Sequence, residues 1–422
     1  PWTETFKQAG VNSFGFGGTN AHMVVQNYNE KQALPYVTNE NKPVLKNMAI
    51  VGMEAHFGNC TNLNDFYHTI YNNEQHFVNL PPERWKGFED NHELLEEYGF
   101  KGANVPKGAF VESFEIDLLR YKIQPKEAET LEPQQALMLK VADKALQDAK
   151  IKEGDNVAVL IAMEPELAIH HYLARWDVAW QLKEAVDKNE VQLTEEQMTE
   201  LEELCKVLLY YRDGAQTPSQ HTSFVGNIMA SRIAALWDFS GPAFTVSCDN
   251  DSVFKALEIA QNMLSLGEVD AVLVGGVDFS GGLESVLLRN KVQTFNTKNK
   301  PSLCFNIQEQ GPVIGEGAGA IVLKRANETS NNEKVYAQID AVNVETPQLD
   351  VGYMELAATG YEHENRDEAA MLKKMVLKQD MALGSVKTNI GHTFAASGVA
   401  SLIKTALCLH HRFIPGIPNW QA

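Results

Sequence analysis

The chain has 422 residues and a formal net charge of −19, with 36 Lys+Arg against 55 Asp+Glu, and 44% of its residues are hydrophobic. That length allows one large α/β domain or two smaller ones, and the acidic balance excludes both the basic stripe of a nucleic-acid binder and a surface drawn to anionic lipid. No window approaches the roughly 18 consecutive apolar residues of a spanning helix, and no signal-peptide pattern opens the chain, so no membrane association and a cytoplasmic location are expected.

In chain order, "VNSFGFGGTNAHMVVQ" (11–26) is a Gly-rich turn feeding an apolar run, and residues 27–47 after it are polar, Pro-containing and aperiodic, which is linker composition. "MAIVGMEAHFG" (48–58) predicts a buried strand ending in a turn, the usual opening of an α/β unit. Residues 131–149 predict a helix, with Ala136, Leu139, Ala142 and Leu146 at helical spacing and Pro133 in the first turn. "NVAVLIAM" (156–163) predicts a strand, and the charged stretch 183–217 reads as a helical excursion opened by a Thr194/Gln197 capping box. Strand 243–248, helix 251–266 stopped by Gly267, and strand 270–277 then make a βαβ unit. Strands in 315–325 and 335–344 and a helix over 395–411 repeat this grammar as a second half, so a layered α/β sheet protein with two βαβ-rich halves is expected.

The five cysteines, Cys60, Cys205, Cys248, Cys304 and Cys408, form no CxxC pair, which leaves neither a disulfide framework nor a zinc site. The adjacent pairs His170-His171 and His410-His411 lack the i, i+4 spacing that puts two ligands on one helix face, so no metal is expected. One stretch invites chemistry: "FTVSCDNDSVF" (244–254) ends a strand, turns, and starts a helix. A thiol at a helix N-terminus is activated, but Cys248 falls at the strand end and reads instead as a packed core thiol.

Several motifs together resemble the β-ketoacyl synthase family of condensing enzymes: "MAIVGM", "PPERW" (81–85), "LEPQQALML" (131–139), "GNIMASRIAALWDFSGPAFTV" (226–246), "GEGAGAIVLKR" (315–325) and "VKTNIGHTFAASGVASLIK" (386–404). They stand in family order from about residue 48 onward. The resemblance implies a thiolase-like layered αβαβα fold. It also implies a nucleophilic cysteine nine residues after the glycine of a Gly-Pro pair; counted from Gly241, and checked back from Gly275, that position is Asn250. An amide cannot attack a thioester, and Asn250 with Asp249 and Asp251 is read as capping the helix.

Two histidines normally complete the family's site. The first falls in "ELAATGYEHE" (355–364), where Ala357 holds the histidine position and Ala358 the following glycine; the second survives in "KTNIGH" as Lys387 and His392. A degenerate site with no catalytic residues is therefore expected. Within the family this resembles the chain length factor, the non-elongating partner of an active ketosynthase in a heterodimer-like pseudo-dimer. The opening residues resemble the end of another ketosynthase, with a gating loop at Gly15, Phe16, Gly17 and Gly18, so the tandem resembles that of the C subunit of bacterial polyunsaturated fatty acid synthases.

The implied organisation is an upstream ketosynthase tail (1–30), a linker (31–46) and a chain length factor domain (47–422) whose C-terminal end is missing. The implied partners are the ketosynthase domain of the same polypeptide and acyl carrier protein, which brings phosphopantetheine with the substrate; no bound cofactor is implied. Two rivals stand beside it. One is a malonyl decarboxylase resembling loading ketosynthases with an amide in place of the nucleophile. The other is an active enzyme using Cys248 with His392, which a displacement of roughly 6 Å along the strand disfavours.

Overall fold

A computed structural model describes residues 7–14, 20–27, 45–81, 84–85, 87–100, 102, 104–128, 131–164, 180–188, 193–210, 225–297, 311–329, 333–342, 351–374 and 381–418. The expected gating loop Gly15–Gly18, most of the linker and Cys304 lie outside these residues.

The main sheet has the spatial order Ala337–Ile339, Met48–Phe57, Gly317–Arg325, Ala271–Asp278, Val157–Ala162, Ala243–Val246. The last three strands are mutually parallel in direction, while Gly317–Arg325 runs antiparallel to both of its neighbours. The predicted strands 315–325 and 335–344 therefore both belong to this sheet. An apolar run declares a buried strand but not which sheet takes it, and Gly317–Arg325 is buried along almost its whole length between two partners. Among the described residues the remaining short pairs are Gly108–Ala109 with Ile314–Gly315, and Tyr353–Glu355 with Ala382–Gly384, both parallel.

Side-chain alternation divides the core in two. Ala158, Leu160, Val272, Val274, Ile321 and Leu323 face the Ser252–Leu266 and Ser397–His411 helices. Val157, Val159, Ile161, Leu273 and Val322 face the Pro133–Asp148 and Gly226–Leu236 helices. In Met48–Phe57 a bulge between Ile50 and Gly52 inserts one residue, so that Met48 and Ile50 on one side of it and Met53, Ala55 and Phe57 on the other reach the same core. Gly52 lies so close to the Pro133–Asp148 helix that a Cβ there would stand 2.6 Å from Ala145 O.

Local rules hold at the helix ends. Pro133 starts its helix, and Gly267 closes Ser252–Leu266 at φ 73°, the left-handed geometry that favours glycine. The Thr194 and Gln197 side chains bond each other's backbone N–H at 3.2 and 3.0 Å, the predicted capping box.

Two family-like motifs meet in the interior. The fully buried Glu316 carboxylate accepts from Val111 N at 3.0 Å and Gly281 N at 2.9 Å and pairs with Arg84, while Trp85 Nε1 donates to Gly281 O at 3.0 Å. Next to it Gly317 has φ 146°, and a Cβ would lie 2.2 Å from His56 O. Replacing Gly317 by Ala should therefore cost more than about 3 kcal/mol, from backbone strain and steric overlap together. Chemical denaturation of the variant reads this directly, and a loss below about 1 kcal/mol would contradict it.

The segment Gln8–Phe14 pairs antiparallel with Asn20–Gln26 as a separate ribbon. One of its faces carries Ala9, Val11, Ala21, Met23 and Val25, and Val11 and Met23 are 52% and 61% exposed. A two-stranded ribbon with an uncovered apolar face is marginal on its own.

Candidate functional site

Parallel strands bring their C-terminal ends to one edge, the usual place for a site in an open α/β sheet. Here three of them deliver carboxylates: Glu164 follows Val157–Ala162, Asp249 follows Ala243–Val246, and Asp278 ends Ala271–Asp278. Asn250 sits between, in a short 3₁₀ turn over Asp249–Asp251 that leads into the Ser252–Leu266 helix.

Ser252 holds this turn. Its Oγ accepts from Cys248 N at 2.8 Å and donates to Asp249 O at 2.6 Å. Among the described residues Asn250, Asp249 and Asp251 make no side-chain cap, which corrects the expected capping role; a serine hydroxyl one residue further on already bridges the turn. Asn250 Oδ1 is instead buried and has no hydrogen-bond partner among the described residues. Cys248 is also corrected: it is exposed, because the strand stops at Val246 and the chain has left the sheet two residues earlier. Cys60 and Cys408 are buried thiols as expected, and burial raises both, Cys60 to about 11 and Cys408 to about 12.

The turn Phe394–Ala396 packs against the Asn250 turn and follows directly on His392. His392 is buried, and its Nδ1 accepts from Phe394 N at 3.0 Å with Ser397 Oγ at 3.1 Å. A backbone N–H can only donate, so Nδ1 is unprotonated and the neutral ring carries its hydrogen on Nε2. Nε2 is itself buried with no partner among the described residues. Burial, then the nearby Lys387 and Arg289 charges, hold the imidazole's proton affinity well below its ordinary value.

Lys387 and Ala357 are brought together: the ammonium donates to the Ala357 carbonyl. The Ala357 and Ala358 N–H groups donate to Glu368 at 2.8 and 3.0 Å. Ala358 is buried at φ 46°, an uncommon conformation for a residue with a Cβ, so the glycine-type backbone survives at the position where the resembled motif carries glycine.

Side chains that sequence reasoning missed close the site. Arg289 donates to Glu164 Oε2 at 2.8 Å and lies over the Phe394 ring, with Cζ 3.9 Å from its centroid. Phe394 stacks on His392 at 4.4 Å and 14°. Burial pushes the Asp278 carboxyl up to about 7, with Arg289, the Ser280 hydroxyl and Ala395 N–H pulling the other way. No group of three metal-ligating side chains occurs among the described residues, and none of their helices is long and apolar enough to cross a membrane.

The profile of the β-ketoacyl synthase N-terminal domain matches residues 46–329, and that of the C-terminal domain matches 314–421. The chain belongs to the β-ketoacyl synthase family. The profile of the ketoacyl-synthetase C-terminal extension also matches residues 1–73. Among curated relatives, a polyunsaturated fatty acid synthase component from Thraustochytrium is 30% identical over 98% of this chain. The solved "PfaC Keto synthase-Chain length factor" superposes with a TM-score of 0.81 at 38% identity over 95% of this chain. A ketosynthase from module 6 of the Bacillus subtilis bacillaene synthase, 23% identical with a TM-score of 0.64, shares the fold over 89% of the chain. The chain spans only 22% of the Thraustochytrium protein and 44% of the PfaC chain. The fold is thus a ketosynthase-type, thiolase-like α/β fold, matching the resemblance read from the motifs.

Proposed function

We propose that residues 47–422 are a non-elongating chain length factor that pairs with an active ketosynthase of the same polypeptide and shapes its acyl tunnel during polyunsaturated fatty acid synthesis. One observation carries this reading: the turn that should present a nucleophile presents Asn250, and the first histidine position holds Ala357, whose carbonyl only anchors Lys387. The scaffold around both positions is intact, so chemistry has been removed without loss of the fold. Condensation would be done by the partner's cysteine and histidines, with acyl carrier protein bringing its phosphopantetheine arm and no cofactor held here. The protein would act in the cytoplasm.

Two features support the pairing and the domain order. Ala243–Val246 is the edge strand of the main sheet, with no further strand beyond it among the described residues, and such an edge can take a strand of a second domain. The apolar ribbon formed by residues 8–14 and 20–26 suits the tail of an upstream ketosynthase (1–30) joined by a linker (31–46), and the C-terminal-extension match to residues 1–73 supports that order.

The free His392 Nε2–H favours a second reading, malonyl decarboxylation, because it is a donor with nothing to bind among the described residues. Carbon dioxide release from malonyl-acyl carrier protein by the full polypeptide separates the two. For a silent domain, His392→Ala should leave the release rate unchanged, any release by the ketosynthase half being common to both proteins. A tenfold or larger fall in a folded variant would make this half a decarboxylase.

A further inference from the structure

Four side chains form one layered unit beside His392. A ring face has room for only one planar group at about 4 Å, so the Arg289 guanidinium and the His392 imidazole, 3.9 and 4.4 Å from Phe394, occupy its opposite faces. Glu164 fixes the far end by its 2.8 Å bond to Arg289, and the Phe394 N–H fixes the near end at His392 Nδ1. The order Glu164, Arg289, Phe394, His392 joins the end of one strand, the Leu283–Val292 helix and the Phe394–Ala396 turn. Each contact is directional: a charge-assisted hydrogen bond, a cation over a ring, a ring on a ring, and a backbone donor to one ring nitrogen.

We infer that Arg289 is a positioning residue that acts on His392 through Phe394, fixing the orientation of the imidazole in which only Nε2–H is free. The inference holds for either reading of the site, since it concerns the state of His392 and not its use.

The groups facing this unit are consistent with that role. Arg289 has Glu164, Asp278 and Tyr361 within electrostatic reach, and His392 has Lys387 and Arg289, with the Tyr361 ring 6.3 Å away. Arg289 is therefore a cation that reaches Glu164, Asp278 and the histidine together. Arg is suited to the place because a flat, permanently charged fork can stack and bond at once, whereas a lysine cannot.

The test is nuclear magnetic resonance of the histidine-labelled full polypeptide, with the His392 signals identified by their loss in His392→Asn. The parent should show the Nε2–H tautomer and stay neutral through the acid range where exposed histidines titrate. In Arg289→Met, which retains an apolar side chain over Phe394 but no charge or fork, the proton affinity of His392 should rise and its ring signals should broaden. Arg289→Lys, which keeps charge without the planar stack, should keep the low affinity but broaden the ring signals. Glu164→Gln, which weakens the anchor, should broaden them too. If His392 in Arg289→Met keeps the parent's titration and sharp signals, Arg289 is a packing residue and the inference fails. Should Arg289→Met not fold, unchanged spectra in both Arg289→Lys and Glu164→Gln would overturn the inference equally.

Discussion

Arg84→Ala should destabilise the domain by about 3–5 kcal/mol, the range for stranding one member of a buried ion pair. Glu316 has no exposure at all, and the Arg84 side chain is itself largely covered. The carboxylate keeps two backbone donors, Val111 N and Gly281 N, but loses the only positive charge bonded to it among the described residues. Burial already raises the Glu316 carboxyl, and Arg84 is the first influence that opposes this. Without Arg84 the folded state would hold a proton on Glu316 to still higher pH. A carboxyl whose affinity is higher folded than unfolded loses stability as pH rises, so the deficit should be larger at pH 8 than at pH 5. Glu316→Gln should cost less than Arg84→Ala, because the amide oxygen can still accept one N–H and the charge left unpaired, Arg84, is 22% exposed whereas Glu316 is fully buried. Urea unfolding at the two pH values checks the order. A loss in Arg84→Ala below about 1 kcal/mol, independent of pH, would mean that the pair is open to water.

Much of this architecture was legible because it rests on local rules. Continuous apolar runs marked the sheet strands, a proline opened one helix and a glycine closed another, and Thr194 with Gln197 marked a capping box. The count that puts Asn250 at the nucleophile position of the resembled motif also rests on local spacing, and in the structure that residue lies between the strand end at Val246 and the helix start at Ser252. Two local inferences went wrong for instructive reasons. Cys248 reads as core because cysteines usually are, but a strand that ends two residues early exposes it. Asn250 and its acidic neighbours read as caps, but none of them caps the helix start, and the turn is instead bridged by the Ser252 hydroxyl, which reaches both Cys248 N and Asp249 O.

What stayed hidden is long-range. Glu164 and Arg289 are 125 residues apart, and Arg84 and Glu316 are 232 apart. No periodicity connects such pairs, and strand order decides whether they meet. Gly317–Arg325 shows the same limit: the strand was recognisable and its neighbours were not. A partial signal was present in the carboxylates that follow three separate apolar strands, because parallel strands share one C-terminal edge.

That shared edge yields the second large effect, at Asp278. The side chain is buried, and burial is the first cause of its rise to about 7, with the Glu164 charge adding to it. In the unfolded chain an aspartate titrates near 3.9, so between about pH 4 and pH 7 the folded protein holds a proton that the unfolded chain has released. Stability must then fall as pH climbs through that window, at up to about 1.4 kcal/mol per unit, or about 4 kcal/mol in all from this one group. Asp278→Asn removes the proton and therefore the slope. The amide oxygen can still accept from Ser280 or Ala395, while its N–H₂ needs a partner at a cost of about 1–3 kcal/mol that does not vary with pH. The two unfolding curves should therefore cross: the variant is no better than the parent at pH 5 and more stable at pH 8. Parallel curves, with the variant weaker at every pH, would mean that Asp278 is ionised throughout and that Arg289 compensates it fully. In that case Glu164→Gln, which removes the competing carboxylate and leaves Arg289 to Asp278, should stabilise the protein at no pH. With Asp278 protonated near neutrality, the same change should recover stability above pH 7 by relieving the repulsion that keeps the proton on.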